Sequence, residues 1–177
     1  MDEIVKAALR KWPNVPDCYG WLALDARGDW YMRDERIQAA GPFPQVKGSR
    51  VNHEKLREFI ERNYLIDASG CAFFQNGPQR VYVQLEAAPW IWRLDAQLLI
   101  DGRVHAHTGL STEVDSAWLD EADRLFLGTP LGLGLVHSMD MQWAAEAVEA
   151  GRWQPQPARF AELLQRFKVV LEPVPAA

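Results

Sequence analysis

The sequence predicts an α+β fold in which antiparallel hairpins and a β-meander pack against amphipathic helices. Short β-prone runs recur along the chain and turn at aspartates, at Asp25, Asp67, Asp101 and Asp120. Segments with one apolar face at helical spacing occur near both ends and in the middle of the chain. These helices and strands are clustered rather than strictly alternating, which disfavours a doubly wound parallel sheet. With 48% hydrophobic residues and eight tryptophans, the 177 residues suffice for a sizeable core.

The N-terminal half begins with a predicted helix over residues 2–12, whose apolar side chains recur at helical spacing. A hairpin follows around residues 25–28, where Gly28 can adopt the positive φ that such a turn needs. Residues 40–50 lack periodicity and are expected to form a loop. The clearest helix is expected over residues 52–64, because its apolar and charged side chains lie on opposite faces. An antiparallel meander is predicted to follow.

The C-terminal half is predicted to contain two more hairpins, over residues 98–107 and 117–127. Leucines and glycines alternate from Leu131 to Leu135, which predicts a strand that buries the leucines while another group crosses closely over its glycine face. Helices are expected over residues 138–150 and from about Phe160.

The hairpins form an irregular internal repeat, and the sequence is therefore divided into two half-domains, 1–95 and 96–177, which can also be parts of a single domain. Residues 1–95 hold the first helix, the first hairpin, the second helix and the sheet that follows. Residues 96–177 hold the later hairpins and the last two helices.

Composition and charge exclude several classes of partner. The net charge of −5 and the absence of a basic stripe argue against binding to nucleic acid. No stretch of about 18 consecutive apolar residues occurs, so no membrane span is expected. The two cysteines are expected to be buried thiols rather than a disulfide, and the chain is predicted to be cytoplasmic.

Residues 20–95 resemble uncharacterised proteobacterial families of unknown function in the order of their small motifs. The matching motifs include Leu24-Asp25-Ala26-Arg27-Gly28-Asp29, Asp67-Ala68-Ser69-Gly70 and Ala87-Ala88-Pro89-Trp90. The resemblance implies a bacterial cytoplasmic α+β protein built from repeated structural motifs, with a suggested role in signal transduction. It implies no catalytic residues.

A first candidate site is aromatic. Trp90 and Trp92 share one face of a predicted strand, and Arg93 follows them. If that face is open, it forms a flat apolar wall with a cation at its edge, which suits a planar or anionic small ligand. Packing of the two indoles in the core is the alternative interpretation.

A second candidate site is formed by His105 and His107, which lie two residues apart on a predicted strand and would face the same side. With an acid such as Asp115 they could serve a hydrolytic enzyme, with or without a metal. The alternative is the ordinary polar face of a half-buried strand, and on that interpretation no metal and no cofactor are expected.

The favoured function is a cytoplasmic module that binds an unidentified small ligand or protein partner in signalling. An enzyme is less favoured. The candidate ligand-binding residues are Trp90, Trp92, Arg93, His105 and His107. A small hydrolytic enzyme that uses the two histidines is the first alternative. A scaffold that forms a homodimer through a tryptophan surface is the second.

Overall fold

A computed structural model describes residues 1–175, and the chain divides into two compact units. Unit 1 contains Met1–Asp25, Asp29–Glu86 and the residues from Val170 onward, and unit 2 contains Ala26–Gly28 and Ala87–Val169. The sequence placed the junction between residues 95 and 96. The chain instead leaves unit 1 after Glu86, because the next strand pairs only within the second sheet.

Within its described residues, unit 1 combines three helices with a six-stranded sheet. In chain order its elements are α1 (Glu3–Lys11), β1 (Cys18–Leu24), β2 (Trp30–Met32), α2 (Glu35–Ala40), β3 (Ser49–Arg50), α3 (Glu54–Arg62), β4 (Tyr64–Ile66), β5 (Ala72–Asn76) and β6 (Gln79–Leu85). The strand order is β3-β2-β1-β6-β5-β4, so two antiparallel meanders meet at the central β1–β6 pair, which is parallel.

Unit 2 contains three helices and a seven-stranded sheet. Its elements are β7 (Trp90–Arg93), α4 (Gln97–Asp101), β8 (Arg103–Ala106), β9 (Ser111–Glu113), β10 (Ser116–Leu119), β11 (Leu125–Thr129), β12 (Gly132–Val136), a 3₁₀ turn (Ser138–Asp140), α5 (Met141–Glu149), β13 (Gln156–Pro157) and α6 (Phe160–Arg166). The strand order is β13-β10-β11-β12-β7-β8-β9.

The two sheets share one topology. In unit 2 the meanders β7-β8-β9 and β10-β11-β12 also meet at a central parallel pair, here β7 and β12. The first and last strands of the six therefore form the centre of each sheet, and β13 extends only the second sheet. These two similar sheets confirm the predicted α+β class and indicate two half-domains.

The prediction of a hairpin turn at an aspartate is confirmed at three of the four positions. Asp25, Asp67 and Asp120 each follow a strand and precede its antiparallel partner. The hairpin predicted at Asp101 is wrong, because residues 97–101 form α4 and Gly102, with φ 77°, ends that helix in the left-handed conformation. The sequence also missed the short α2, which Asp34 caps by accepting a hydrogen bond from the Ile37 amide.

Candidate functional site

Trp90 and Trp92 lie in the core of unit 2. They are 5% and 0% exposed, and their rings stack with centroids 6.1 Å apart. Both indole N–H groups donate to backbone carbonyls, that of Trp90 to Leu131 at 2.8 Å and that of Trp92 to Leu127 at 3.2 Å. The expectation that their common face is open is therefore wrong, because the rings cover the neighbouring strand β12.

Arg93 has a structural partner. Its guanidinium donates to both carboxylate oxygens of Asp140, at 2.6 and 3.1 Å, and the Leu94 amide donates to the same carboxylate. These bonds lower the pKa of Asp140 against the opposing effect of its burial, which is the largest single influence. Arg93 therefore joins β7 to the start of α5.

The two histidines differ in their surroundings. His105 lies on the partly exposed side of β8, whereas His107 follows the end of that strand. The imidazole Nδ1 of His107 accepts a hydrogen bond from the Ile91 amide, and its Cβ lies under Gly28. Burial lowers the pKa of His107 from 6.5 to about 3, so its ring is neutral at physiological pH. His105, by contrast, lies on the polar face of a half-buried strand, as the alternative interpretation of the sequence expected.

A metal-dependent site finds no support within residues 1–175. No group of three His, Cys, Asp or Glu side chains in this part of the chain is arranged to hold a metal ion. Asp115 is exposed in the connection between β9 and β10. In the same residues, every helix is too short or too polar to span a lipid bilayer.

An apolar groove lies in unit 1, beside α3. We call it the unit 1 groove; it has a volume of about 290 Å³. Its lining comprises Cys18, Trp21, Leu22, Met32, Leu56, Phe59, Ile60, Phe74, Asn76, Gln79 and Val81. None of these side chains carries a formal charge at neutral pH, and only Cys18, Asn76 and Gln79 offer polar atoms beyond the indole of Trp21.

Helix α3 and the strands build this groove together. The apolar stripe of α3 turns Ile60 into the core, where it is 2% exposed, and packs Phe59 edge-on against Phe74 with centroids 5.5 Å apart. The helix does not cover the whole sheet. Three large apolar side chains consequently stay exposed around the groove: Trp21 at 40%, Met32 at 47% and Leu56 at 38%.

One end of the groove carries neutral polar groups. The Gln79 amide donates to the Pro16 carbonyl at 3.0 Å, which fixes that side chain at the start of β6. Burial raises the pKa of the Cys18 thiol above its ordinary value, so the thiol is protonated at neutral pH and is a poor nucleophile. The groove is therefore suited to binding rather than to nucleophilic catalysis.

Sequence reasoning predicted only part of this groove. The apolar stripe of α3, which supplies Leu56, Phe59 and Ile60, was recognised. Trp21 and Met32 were not, although both are large apolar residues in predicted strands next to a turn. Their exposure depends on which part of the sheet α3 leaves uncovered.

Comparison with known proteins yields few matches. The family model DUF2944, described as "Protein of unknown function (DUF2946)", matches residues 1–175. A DUF1285 family protein from Silicibacter pomeroyi DSS-3, known as a crystal structure, aligns at 12% identity with a TM-score of 0.49, covering 82% of this chain and 84% of that chain. No curated protein matches. The family match confirms the resemblance to families of unknown function.

Proposed function

This chain belongs to that family of proteins of unknown function, and we propose that it is a binding module whose unit 1 groove holds a small, uncharged, apolar molecule. One observation carries the proposal. Trp21, Met32 and Leu56 come from two strands and a helix, and all three expose large apolar side chains around the same concavity. Scattered exposed apolar residues are ordinary, whereas a convergent set marks a binding surface.

The size of the groove favours a small molecule. Ligand pockets have volumes of roughly 300 to 1,000 Å³, and the unit 1 groove, with about 290 Å³, is close to the lower limit of that range. A helix from a protein partner presents several turns and needs a longer groove. The thioether of Met32 is flexible and polarisable, which allows the rim to adjust to the shape of the ligand.

The charge of the lining favours an uncharged ligand. An ion transferred into this groove would lose hydration without meeting an opposite charge, because no Asp, Glu, Lys or Arg is among its lining residues. An apolar molecule instead gains about 25 cal/mol for each Å² of apolar surface that it removes from water.

The proposal changes the location of the site expected from the sequence. Trp90, Trp92 and Arg93 have core or ion-pair partners, so the unit 1 groove replaces them as the ligand-binding surface. No observation favours the hydrolytic alternative with His105 and His107. A role in signalling, a cytoplasmic location and a homodimer stay predictions of the sequence.

Titration with the uncharged fluorescent probe N-phenyl-1-naphthylamine tests the proposal. The probe's emission should increase and shift to shorter wavelength as it enters the unit 1 groove. A Leu56→Lys variant places an ammonium group at the rim and should weaken binding about tenfold or more. Ile4→Lys is the matched control, because Ile4 is an exposed apolar residue on α1 of the same unit, outside the groove.

The tryptophan indole N–H signals in a ¹H–¹⁵N correlation spectrum locate the probe. The Trp21 signal, assigned with a Trp21→Phe variant, should move during the titration. Equal binding by the Leu56→Lys protein, or an unmoved Trp21 signal, would contradict the proposal. So would a sedimentation coefficient that rises with protein concentration and falls on Leu56→Lys substitution, because a second copy would then cover the groove.

A further inference from the structure

A second cavity, lined by both polar and aromatic side chains, opens within unit 2. We call it the unit 2 cavity; it has a volume of about 400 Å³. The connection between β9 and β10, the outer face of β10 and the segment after α5 form its walls. The residues that matter for its chemistry are Asp115, Trp118, Arg152, Trp153, Gln154 and Gln156.

Several of these side chains are already held in position. Trp118 donates its indole N–H to the Ser116 hydroxyl at 3.0 Å. The Arg166 guanidinium lies 4.3 Å from the centre of the Trp118 ring. Gln156 lies opposite Trp118 in the β10–β13 pair. Its side-chain NH₂ group donates to the backbone carbonyl of Gln154 at 3.1 Å. Such contacts reduce the entropy that ordering the site would cost when a ligand binds.

The groups left over include hydrogen-bond acceptors and donors. The Asp115 carboxylate and the Gln154 side-chain amide make no hydrogen bond or ion pair to other residues within 1–175. Gln156 uses its NH₂ group internally, and its amide oxygen can accept. The Arg152 guanidinium donates to the Leu99 and Ile100 carbonyls at the end of α4. A ligand rich in hydroxyl groups, each of which can donate and accept, fits this set.

Charge narrows the class further. The Arg152 guanidinium repels a cationic ligand that Asp115 attracts, and the Asp115 carboxylate repels an anionic ligand that Arg152 attracts, so the two groups together favour neither charge. A neutral ligand avoids both repulsions and can still bond to a carboxylate and two amides. The buried indole of Trp153, 7% exposed, and the partly exposed indole of Trp118 add flat apolar surface.

We propose that the unit 2 cavity binds an uncharged polyhydroxylated molecule of monosaccharide size. Hydroxyl groups would donate to Asp115 and Gln156 and accept from Gln154, while the carbon-bound hydrogens of the ring contact the indoles. The unit 2 cavity is separate from the unit 1 groove in lining and in ligand class, so either site can exist without the other.

Saturation-transfer NMR on the full chain with glucose, galactose, mannose and N-acetylglucosamine tests this proposal, with glucosamine and glucuronate as charged counterparts. At least one neutral sugar should bind and should move the indole signals of Trp118 and Trp153, assigned with Phe variants, while leaving that of Trp21 in place. Binding of none of the neutral sugars, stronger binding of a charged one, or movement of Trp21 alone would overturn the proposal.

Asp115→Ala should weaken the neutral sugar about tenfold or more, because a hydrogen bond to a charged group is lost. Glu113→Ala is the matched control. Glu113 lies two residues away and does not line the unit 2 cavity. Its carboxylate is 76% exposed and lies 3.6 Å from the Arg103 guanidinium. Far-UV circular dichroism verifies that both variants fold. Equal weakening by both would show a general charge effect and overturn the assignment.

Discussion

Arg33 is a cation in the core of unit 1, where it is 2% exposed. Its guanidinium donates to the Val46 and Gly41 carbonyls, at 3.2 and 2.7 Å, and to the Gln84 amide oxygen at 2.6 Å. Burial lowers the pKa of Arg33. Arg33 thereby connects the loop that follows α2 to strand β6 through hydrogen bonds.

We expect Arg33→Met to lower the free energy of unfolding by about 3 kcal/mol, because it leaves buried acceptors without donors. Urea denaturation measures this change. Arg36→Met is the control: its side chain is 93% exposed and, among residues 1–175, forms an ion pair with Asp34 alone, so its loss should cost less than about 0.5 kcal/mol. Similar effects of the two variants would contradict the structural role of Arg33.

His107 should make stability depend on pH. Its pKa is about 3 in the folded chain, below the ordinary value of 6.5 that it regains on unfolding. As the pH falls below about 6.5, the unfolded state takes up a proton that the folded state does not, and the free energy of unfolding decreases by up to about 1.4 kcal/mol per pH unit. This contribution is absent at higher pH, where both states are neutral.

Denaturation of a His107→Gln variant between about pH 7 and pH 4 measures this contribution. The variant should show a shallower decrease of stability on acidification than the unchanged chain. His105→Gln serves as the control, since His105 lies on the partly exposed side of β8. An unchanged slope for His107→Gln would show that its imidazole is accessible to protons in the folded state.

At the scale of elements, β12 depends on glycine to accept the two tryptophans of β7. An ideal Cβ on Gly134 would lie 2.8 Å from the Trp90 Cβ and closer still to the Trp92 indole. The alternation of leucine and glycine predicted this close approach, which is confirmed. What crosses the glycine face could not be read locally, because β7 and β12 are distant in sequence and pair in parallel.

Gly134→Ala should therefore destabilise the chain by about 3 kcal/mol, since the methyl group overpacks a core without room to move. Thermal or urea denaturation measures the effect. Gly109→Ala is the comparison, because nothing lies within 4 Å of the place that an alanine methyl group would occupy there, and only the positive φ of 85° opposes alanine. It should cost about 1 kcal/mol. Equal costs would mean that backbone strain, rather than the indoles, requires Gly134.

Local signals predicted most elements but not all of their roles. Asp25, Asp67 and Asp120 mark true turns, whereas Asp101-Gly102 ends a helix, because a glycine with positive φ serves both structures. The stripe of α3 likewise predicted part of the candidate site. The exposure of Trp21 and Met32 depends on where α3 packs on the sheet, and this tertiary contact cannot be read from a short stretch of sequence.

On the scale of the whole molecule, ion pairs lie at equivalent ends of the two sheets. In unit 1, Lys47 lies 2.9 Å from Asp25 and 3.2 Å from Glu86, which follow the parallel strands β1 and β6. In unit 2, Arg93 at the end of β7 pairs with Asp140, which follows β12. In each sheet, ion pairs therefore link the segments at the ends of the two central parallel strands.

Unit 1 also depends on residues that follow unit 2 in sequence. The Leu85 amide donates to the Leu171 carbonyl at 2.8 Å, and the Val170 amide donates to the Gly70 carbonyl at 3.2 Å. Val170 also forms a parallel bridge with Cys71. The segment that begins at Val170 thus completes the β5–β6 side of the first sheet.

A chain that ends at Val169 should show faster hydrogen exchange at the end of β6, measured by mass spectrometry, because the Leu85 amide loses its acceptor, and beside β5, because Cys71 loses its bridge to Val170. Exchange in β11 and β12 should stay unchanged, since both strands pair within unit 2. A chain that ends at Pro173 keeps these contacts and is the control. Unchanged exchange in the shorter chain would show that the segment adds nothing to unit 1.

The return of the chain at Val170 also bears on biosynthesis. During translation, β1 to β6 leave the ribosome first, yet the backbone partners of Leu85 and Gly70 emerge only after all of unit 2 has been made. The six strands of the first sheet can pair once β6 has emerged, but the Leu85 amide and the Gly70 carbonyl gain these partners only when the chain returns after unit 2. A nascent chain paused within unit 2 should accordingly show faster hydrogen exchange at the Leu85 amide than the finished chain.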